Sequence, residues 1–127
     1  MRINGFLLGL GLTTLAAGAA LAENSIGSEG LKATPTSVTI GAVSSTKAGY
    51  VVVHQDVNGK PGPIVGHASV KAGSNSGVTV TLDKKEKAGT KLIVMLHEES
   101  DNDNKFDKKD KPAISGGKIV EQLVTVQ

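Results

Sequence analysis

The segment from Glu99 to Asp110 has the most specific spacing of potential ligands in this sequence. Counted from Glu99, carboxylates fall at loop positions 1, 3, 5, 9 and 12. The five residues are Glu99, Asp101, Asp103, Asp107 and Asp110. This is the spacing of the twelve-residue EF-hand loop, in which alternate side chains converge on one hard cation. The pattern predicts a calcium site at these positions, with Lys105 at position 7 contributing its backbone carbonyl oxygen.

Three features of this segment depart from the EF-hand pattern. Glu99 stands where aspartate is usual, Asn104 replaces the glycine at position 6, and Asp110 has a shorter arm than glutamate. Asparagine tolerates the left-handed backbone that position 6 requires. We expect no flanking helices, so this would be a calcium loop between strands. The alternative is a solvated acidic turn.

The histidines form a second candidate site, for a soft metal such as copper. Met95 and His97 are two residues apart in a predicted strand, so both side chains project from the same face. His54 and Asp56 have the same relation in another strand. If the two strands are neighbours, His54, Met95 and His97 could converge on one metal ion. Otherwise Met95 fills the core, while His54 and His97 cap strand ends and His67 has no special role.

Enzymes and nucleic-acid binders are both disfavoured by composition and motifs. The chain has no cysteine, and it lacks a Gly-x-Ser-x-Gly elbow, a His-Glu-x-x-His motif and a phosphate-binding loop. We therefore expect no enzymatic activity. The net charge is +2, the only arginine is Arg2, and three aromatic residues are present. A chain with so few guanidinium groups and aromatic rings is not expected to bind nucleic acid.

Apolar residues recur with a period of two in short runs rich in β-branched residues, which is typical of strands. Gly, Pro, Asn and Ser clusters separate these runs, as expected of turns. The alternation predicts strands at Ser37–Val43, Gly49–Asp56, Pro63–Ser69, Gly77–Leu82, Lys91–His97 and Lys118–Val126. The run at Lys91–His97 is apolar on both faces, which indicates a central strand covered on each side. The fold class is therefore all-β, an antiparallel β-sandwich of about seven strands.

The amino terminus has the pattern of a secretory signal peptide over residues 1–22. Arg2 precedes the apolar run Phe6–Leu15, and Ala20-Leu21-Ala22 matches a cleavage site. The location predicted is secreted or periplasmic, with no membrane span after cleavage. No cysteine follows the apolar run, so the chain is not a lipoprotein. The alternative is an uncleaved anchor. We interpret residues 23–35 as a flexible leader and residues 36–127 as the β-sandwich domain.

Several blocks of the sequence together are similar to those of a known family. They are Ala48–Asp56 (AGYVVVHQD), Asn58–Gly66 (NGKPGPIVG), Val78–Leu82, Leu96-His97 and the acidic segment ending at Asp110–Pro112. They resemble a secreted domain-of-unknown-function family of haloarchaea and bacteria with an immunoglobulin-like β-sandwich. The resemblance covers residues 36–127 and implies that fold and an extracytoplasmic location. It carries no activity, but His54 and His97 match histidines of the family.

These features predict a non-enzymatic secreted or periplasmic β-sandwich module with a structural or protein-interaction role. Calcium at the acidic loop would stabilise it. The alternative function is periplasmic binding of a copper-type metal through His54, Met95 and His97. A protein partner is compatible with this sequence, but neither its identity nor the oligomeric state follows from it.

Overall fold

The computed structural model describes residues 23–100, 102–103, 105–107 and 110–127. The predicted signal peptide at residues 1–22 lies outside the described residues. Eleven strands occur in the described part of the chain, and no helix does. They are β1 (Ser25–Ile26), β2 (Lys32–Ala33), β3 (Ser37–Ser45), β4 (Gly49–Val57), β5 (Lys60–Val70), β6 (Gly73–Thr81), β7 (Lys91–Glu98), β8 (Lys111–Pro112), β9 (Ile114–Ser115), β10 (Lys118–Ile119) and β11 (Glu121–Thr125).

The strands form two main antiparallel sheets. In the first sheet, β3 pairs with β6 and also with the short strands β1 and β2. In the second sheet the order is β11-β7-β4-β5, and β8 pairs with the end of β7. Strands β9 and β10 form a separate small hairpin. The prediction of an all-β antiparallel sandwich is confirmed.

The main core lies between the inner faces of the two sheets. Alternate residues of each strand point inward, because successive side chains of a strand project to opposite faces. The fully buried members include Val38, Ile40, Val51, Val53, Val80, Leu92, Val94 and Leu96. The alternation predicted for β6 is confirmed, with Val80 and the following Leu82 both buried.

Strands β4 and β7 are buried on their outer faces as well. Val52, Ile93 and Met95 belong to the face turned away from the main core, yet each is at most 4% exposed. The prediction that residues 91–97 form a central strand covered on both sides is confirmed. This second buried face carries the histidines considered below.

The hairpin between β4 and β5 is tighter than the sequence suggests. The sequence predicts strands at Gly49–Asp56 and Pro63–Ser69, but the turn between β4 and β5 consists of Asn58 and Gly59 alone, with φ angles of 55° and 83°. Two successive positive φ angles define the turn whose twist matches that of the flanking strands. Pro61 and Pro63 then lie within β5, at the edge of its sheet, where a missing N–H is tolerated.

Residues 23–35 differ from the flexible leader that their composition indicates. They contain β1 and β2, which pair with β3 on the side opposite β6. Ile26 and Ala33 are 5% and 1% exposed and join the main core. Two-residue strands are too short to show a period of two, so the polar and glycine-rich surroundings dominate the sequence pattern.

We expect the Ile26→Ala variant to lose about 2–5 kcal/mol of unfolding free energy, because a buried side chain leaves a cavity in the core. Urea unfolding followed by circular dichroism measures this loss. The matched control is Glu29→Ala, an exposed position in the same segment, which should change stability by no more than about 0.5 kcal/mol. Equal stability of both variants would mean that the segment is a flexible leader after all.

Candidate metal centre

The register between β4 and β7 brings two of the three histidines together. Tyr50 lies opposite His97, and Val52 lies opposite Met95, on the outer face of the sheet. His54 follows two residues after Val52 on the same face. The line joining His54 to His97 therefore crosses the Val52–Met95 pair. The two imidazole rings lean toward each other over that pair, with centroids 6.1 Å apart and planes at 26°.

A backbone carbonyl fixes the orientation of each of these rings. His54 Nδ1 lies 2.9 Å from the carbonyl oxygen of Gly62. His97 Nδ1 lies 3.0 Å from the carbonyl oxygen of Asp110. A carbonyl oxygen only accepts hydrogen bonds, so both Nδ1 atoms must carry the proton. In the neutral imidazole the lone pair then belongs to Nε2 of each histidine.

Both Nε2 atoms are buried and have no hydrogen-bond partner among the described residues. Each histidine is only 8% exposed. A buried polar atom without a partner costs free energy, so such an atom calls for a physical explanation. Metal-binding histidines commonly show this arrangement, with one nitrogen bound to a carbonyl and the other directed at the metal.

The His97 ring is also held in its neutral form. Burial, with a smaller contribution from the nearby His54, lowers the pKa of His97 below its usual value. The hydrogen bond to the Asp110 carbonyl and the negative charge of Asp110 act in the opposite direction and are outweighed. A neutral imidazole is the form that binds metals.

Phe106 covers this face from the acidic loop. Its ring centroid lies 5.6 Å from that of Tyr50, 5.2 Å from that of His67 and 5.4 Å from that of His97. His67 lies opposite Val52 on β5 but is exposed, and its described ring contacts are with Tyr50 and Phe106. A pocket of about 380 Å³ opens beside His97. Its described lining residues are Ile64, His97, Phe106, Asp107, Asp110 and Pro112.

Glu99 attaches the beginning of the acidic loop to the sheet. It is buried, and its Oε1 accepts a hydrogen bond of 2.6 Å from the hydroxyl of Tyr50. Its Oε2 accepts a bond of 3.2 Å from the backbone N–H of Asp103. Burial and the neighbouring Glu99 carboxylate raise the pKa of Tyr50 above the ordinary value of 10. Hydroxyl-to-carboxylate bonds of this length are among the stronger hydrogen bonds in proteins.

Asp110 closes the other end of the same loop. It is 3% exposed, and its two carboxylate oxygens accept the backbone N–H groups of Ser100 and Asp107 at 3.0 and 2.8 Å. Asp103 in turn accepts the backbone N–H of Lys105 at 2.9 Å. These carboxylates fold the loop by binding its own amides.

The six residues predicted to bind calcium are only partly brought together. Asp101 lies outside the described residues, and the other five belong to one closed loop. Among the residues that the structure describes, no group of three or more histidine or carboxylate side chains is arranged to hold a metal ion. Calcium binding by this loop stays a prediction.

The sequence gives little sign of the backbone groups that complete the histidine site. The carbonyl oxygens of Gly62 and Asp110 position the rings, and a carbonyl has no side-chain signature. Gly49 is a further case, because a β-carbon there would collide with the carbonyl oxygen of His97. A glycine at the start of an otherwise β-branched strand is the one available signal of that close approach.

Tyr50 is the only tyrosine and the chain has no tryptophan, so its ionisation can be followed alone by ultraviolet absorbance. We expect no phenolate band in the folded protein as the pH rises through 10, because the pKa of Tyr50 is raised. A raised pKa stabilises the fold below pH 10, and this contribution is lost as the pH rises further. The urea-unfolded chain is the control and should titrate at about pH 10. Titration of the folded protein at that same pH would contradict the Tyr50–Glu99 hydrogen bond.

Comparison with known proteins agrees with the all-β architecture and assigns a family. Within the described residues, no helix has the length and hydropathy needed to span a bilayer. No curated protein and no solved structure gives a significant match. The family described as a domain of unknown function, DUF7282, matches residues 24–127, which include β1 and β2 as well as the histidine site. The chain therefore belongs to the DUF7282 family.

Proposed function

We propose that the protein is a non-enzymatic, extracytoplasmic β-sandwich module that binds a soft, copper-type metal ion through His54 and His97. The observation that carries this proposal is the pair of buried Nε2 atoms that have no partner among the described residues. The signal-peptide pattern of residues 1–22 supports the extracytoplasmic location.

The spacing of the two rings suits a shared metal ion. A metal bound to two imidazole nitrogens lies about 2 Å from each, so the nitrogens stand about 4 Å apart or closer. Once the ring radii are added, ring centroids 6.1 Å apart are compatible with that separation.

The side chains of the site favour binding of a ligand over catalysis. Both rings are fixed by Nδ1 hydrogen bonds, on paired strands whose inner faces are packed in the core. Neither ring is hydrogen-bonded to a serine, threonine or carboxylate side chain in the contacts described, as a nucleophile and its base would be. Two imidazoles that are oriented in this way, each with an unpartnered Nε2, are suited to bind a metal.

The test is a copper titration of the purified protein and three variants. We expect the protein to bind one copper ion per chain and His54→Ala and His97→Ala to bind at least about 100-fold more weakly, since each removes one ligand. His67→Ala is the matched control, because it removes a histidine of the same face that lies outside the pair, and it should bind as the parent does. Circular dichroism establishes that each variant is folded. Unchanged copper binding in the folded His54→Ala and His97→Ala variants would overturn the proposal.

The acidic loop is a second candidate, for calcium that stabilises the module. It is favoured by the burial of Glu99 and Asp110, which stand at the first and last positions of the loop and hold its two ends. Ligands at these two positions must lie close together in a calcium loop.

For calcium we expect a saturable rise in melting temperature between EDTA and millimolar calcium, with a dissociation constant of about 10⁻⁴–10⁻³ M, as in extracellular modules. At 100 times that constant, which is about 10–100 mM calcium, the gain is about 2.7 kcal/mol, or roughly ten degrees or more for a domain of this size, and millimolar calcium gives part of it. Asp103→Ala should remove the rise. A flat response would leave the loop as an acidic turn and would not bear on the histidine site.

A further inference from the structure

We infer that the metal held by this site is monovalent copper, with the thioether of Met95 as its third ligand, and that the site discriminates against divalent ions. This inference rests on the proposed function and specifies its ligand. It follows from the position of Met95, the softness of its sulfur and the charge of the groups around the pair.

Met95 lies between the two histidines in the β4–β7 register. It belongs to the Val52–Met95 cross-strand pair that the line from His54 to His97 crosses. Its side chain points to the same face as that of His97, two residues along β7. It is 4% exposed and does not belong to the main core between the sheets. The Met95 side chain is therefore buried on the face that carries both imidazoles.

The thioether distinguishes copper(I) from harder ions. Methionine sulfur is a soft ligand that selects Cu(I), whereas Cu(II) prefers a tetragonal set of nitrogen and oxygen ligands. Zinc takes four ligands, most often thiolate, imidazole and carboxylate. Two imidazoles and one thioether provide three soft or intermediate donors, which fits Cu(I) better than either divalent ion.

The charges at the site also favour a monovalent ion over a divalent one. An imidazole that binds a metal through Nε2 does so in its neutral form, and a thioether carries no charge. Bringing a dication into a buried site without anionic ligands costs far more solvation free energy than bringing in a monocation. The buried carboxylate of Asp110 already accepts two backbone N–H groups, and the hydrogen bond of His97 goes to the backbone carbonyl of Asp110.

The pocket beside His97 offers a route for the ion. Its described lining combines the apolar side chains of Ile64, Phe106 and Pro112 with the carboxylates of Asp107 and Asp110, whose negative charge attracts cations. An ion that reaches the histidine pair through this pocket leaves water for partly apolar surroundings. Such a path favours an ion that loses its water readily, and Cu(I) is less strongly hydrated than Cu(II) or Zn(II) because its charge is lower.

The test compares three metals on the full chain. Cu(I), kept reduced by ascorbate and buffered by bicinchoninate, should bind at least about 100-fold more tightly than Zn(II). Cu(II), titrated without reductant, should likewise bind more weakly than Cu(I). X-ray absorption of the Cu(I) complex should show one sulfur neighbour at about 2.3 Å. Met95 and Met1 hold the only sulfur atoms in the sequence, so loss of this signal in Met95→Leu assigns it.

Met95→Leu is also the variant that separates this inference from the proposed function. Leucine fills a similar volume and leaves both histidines in place, so the variant should fold and bind Cu(I) at least tenfold more weakly. Ile93→Leu, at the next outer-face position of β7, is the matched control and should bind as the parent does. If no copper binds in either oxidation state, the proposed function itself fails. If copper binds but the sulfur signal is absent, or Zn(II) and Cu(II) bind as tightly as Cu(I), only the present inference is overturned.

Discussion

The antiparallel pairing of β4 with β7 is the constraint on which the rest of the site depends. Its register places His54 and His97 on one face and puts Met95 between them. Because side chains alternate, a slip of one residue in either strand would send its part of the site into the main core and expose apolar residues. The inner residues Val51, Val53, Leu92, Val94 and Leu96 oppose such a slip, since all are fully buried. The hydrophobic core thus sets the geometry of the site on the opposite face.

The acidic loop is joined to that same sheet at both of its ends. The Tyr50 hydroxyl holds Glu99, and the His97 ring donates to the carbonyl of Asp110. Tyr50 and His97 are themselves opposite each other in the β4–β7 register. The loop therefore folds over the histidine face from neighbouring anchor points, and Phe106 inserts between the aromatic rings there. Loop conformation and ring orientation are coupled through these shared residues, so a change in either alters the other.

Burial of the two histidines lowers the stability of the fold. Two buried nitrogens without partners among the described residues weaken the fold relative to an apolar pair of the same shape. Groups that bind a ligand are commonly kept in such an unfavourable state by the packing around them. In this protein the hydrogen bonds between β4 and β7 keep the two histidines in place. The backbone carbonyls of Gly62 and Asp110 orient their rings.

The sequence by itself determined the period of two, the turns and hence the all-β sandwich, because strand and turn preferences are local. It also identified His54, Met95 and His97 as possible ligands from their types and spacing. It did not reveal that residues 25–26 and 32–33 join the first sheet, since strands of two residues leave no periodic pattern. Only the tertiary structure decided that β4 and β7 are neighbours, in which register they pair, and which carbonyls orient the rings. Pairing of strands about forty residues apart depends on how the whole core packs. Every residue has a backbone carbonyl, so the sequence does not distinguish the two carbonyls that accept hydrogen bonds from the histidines.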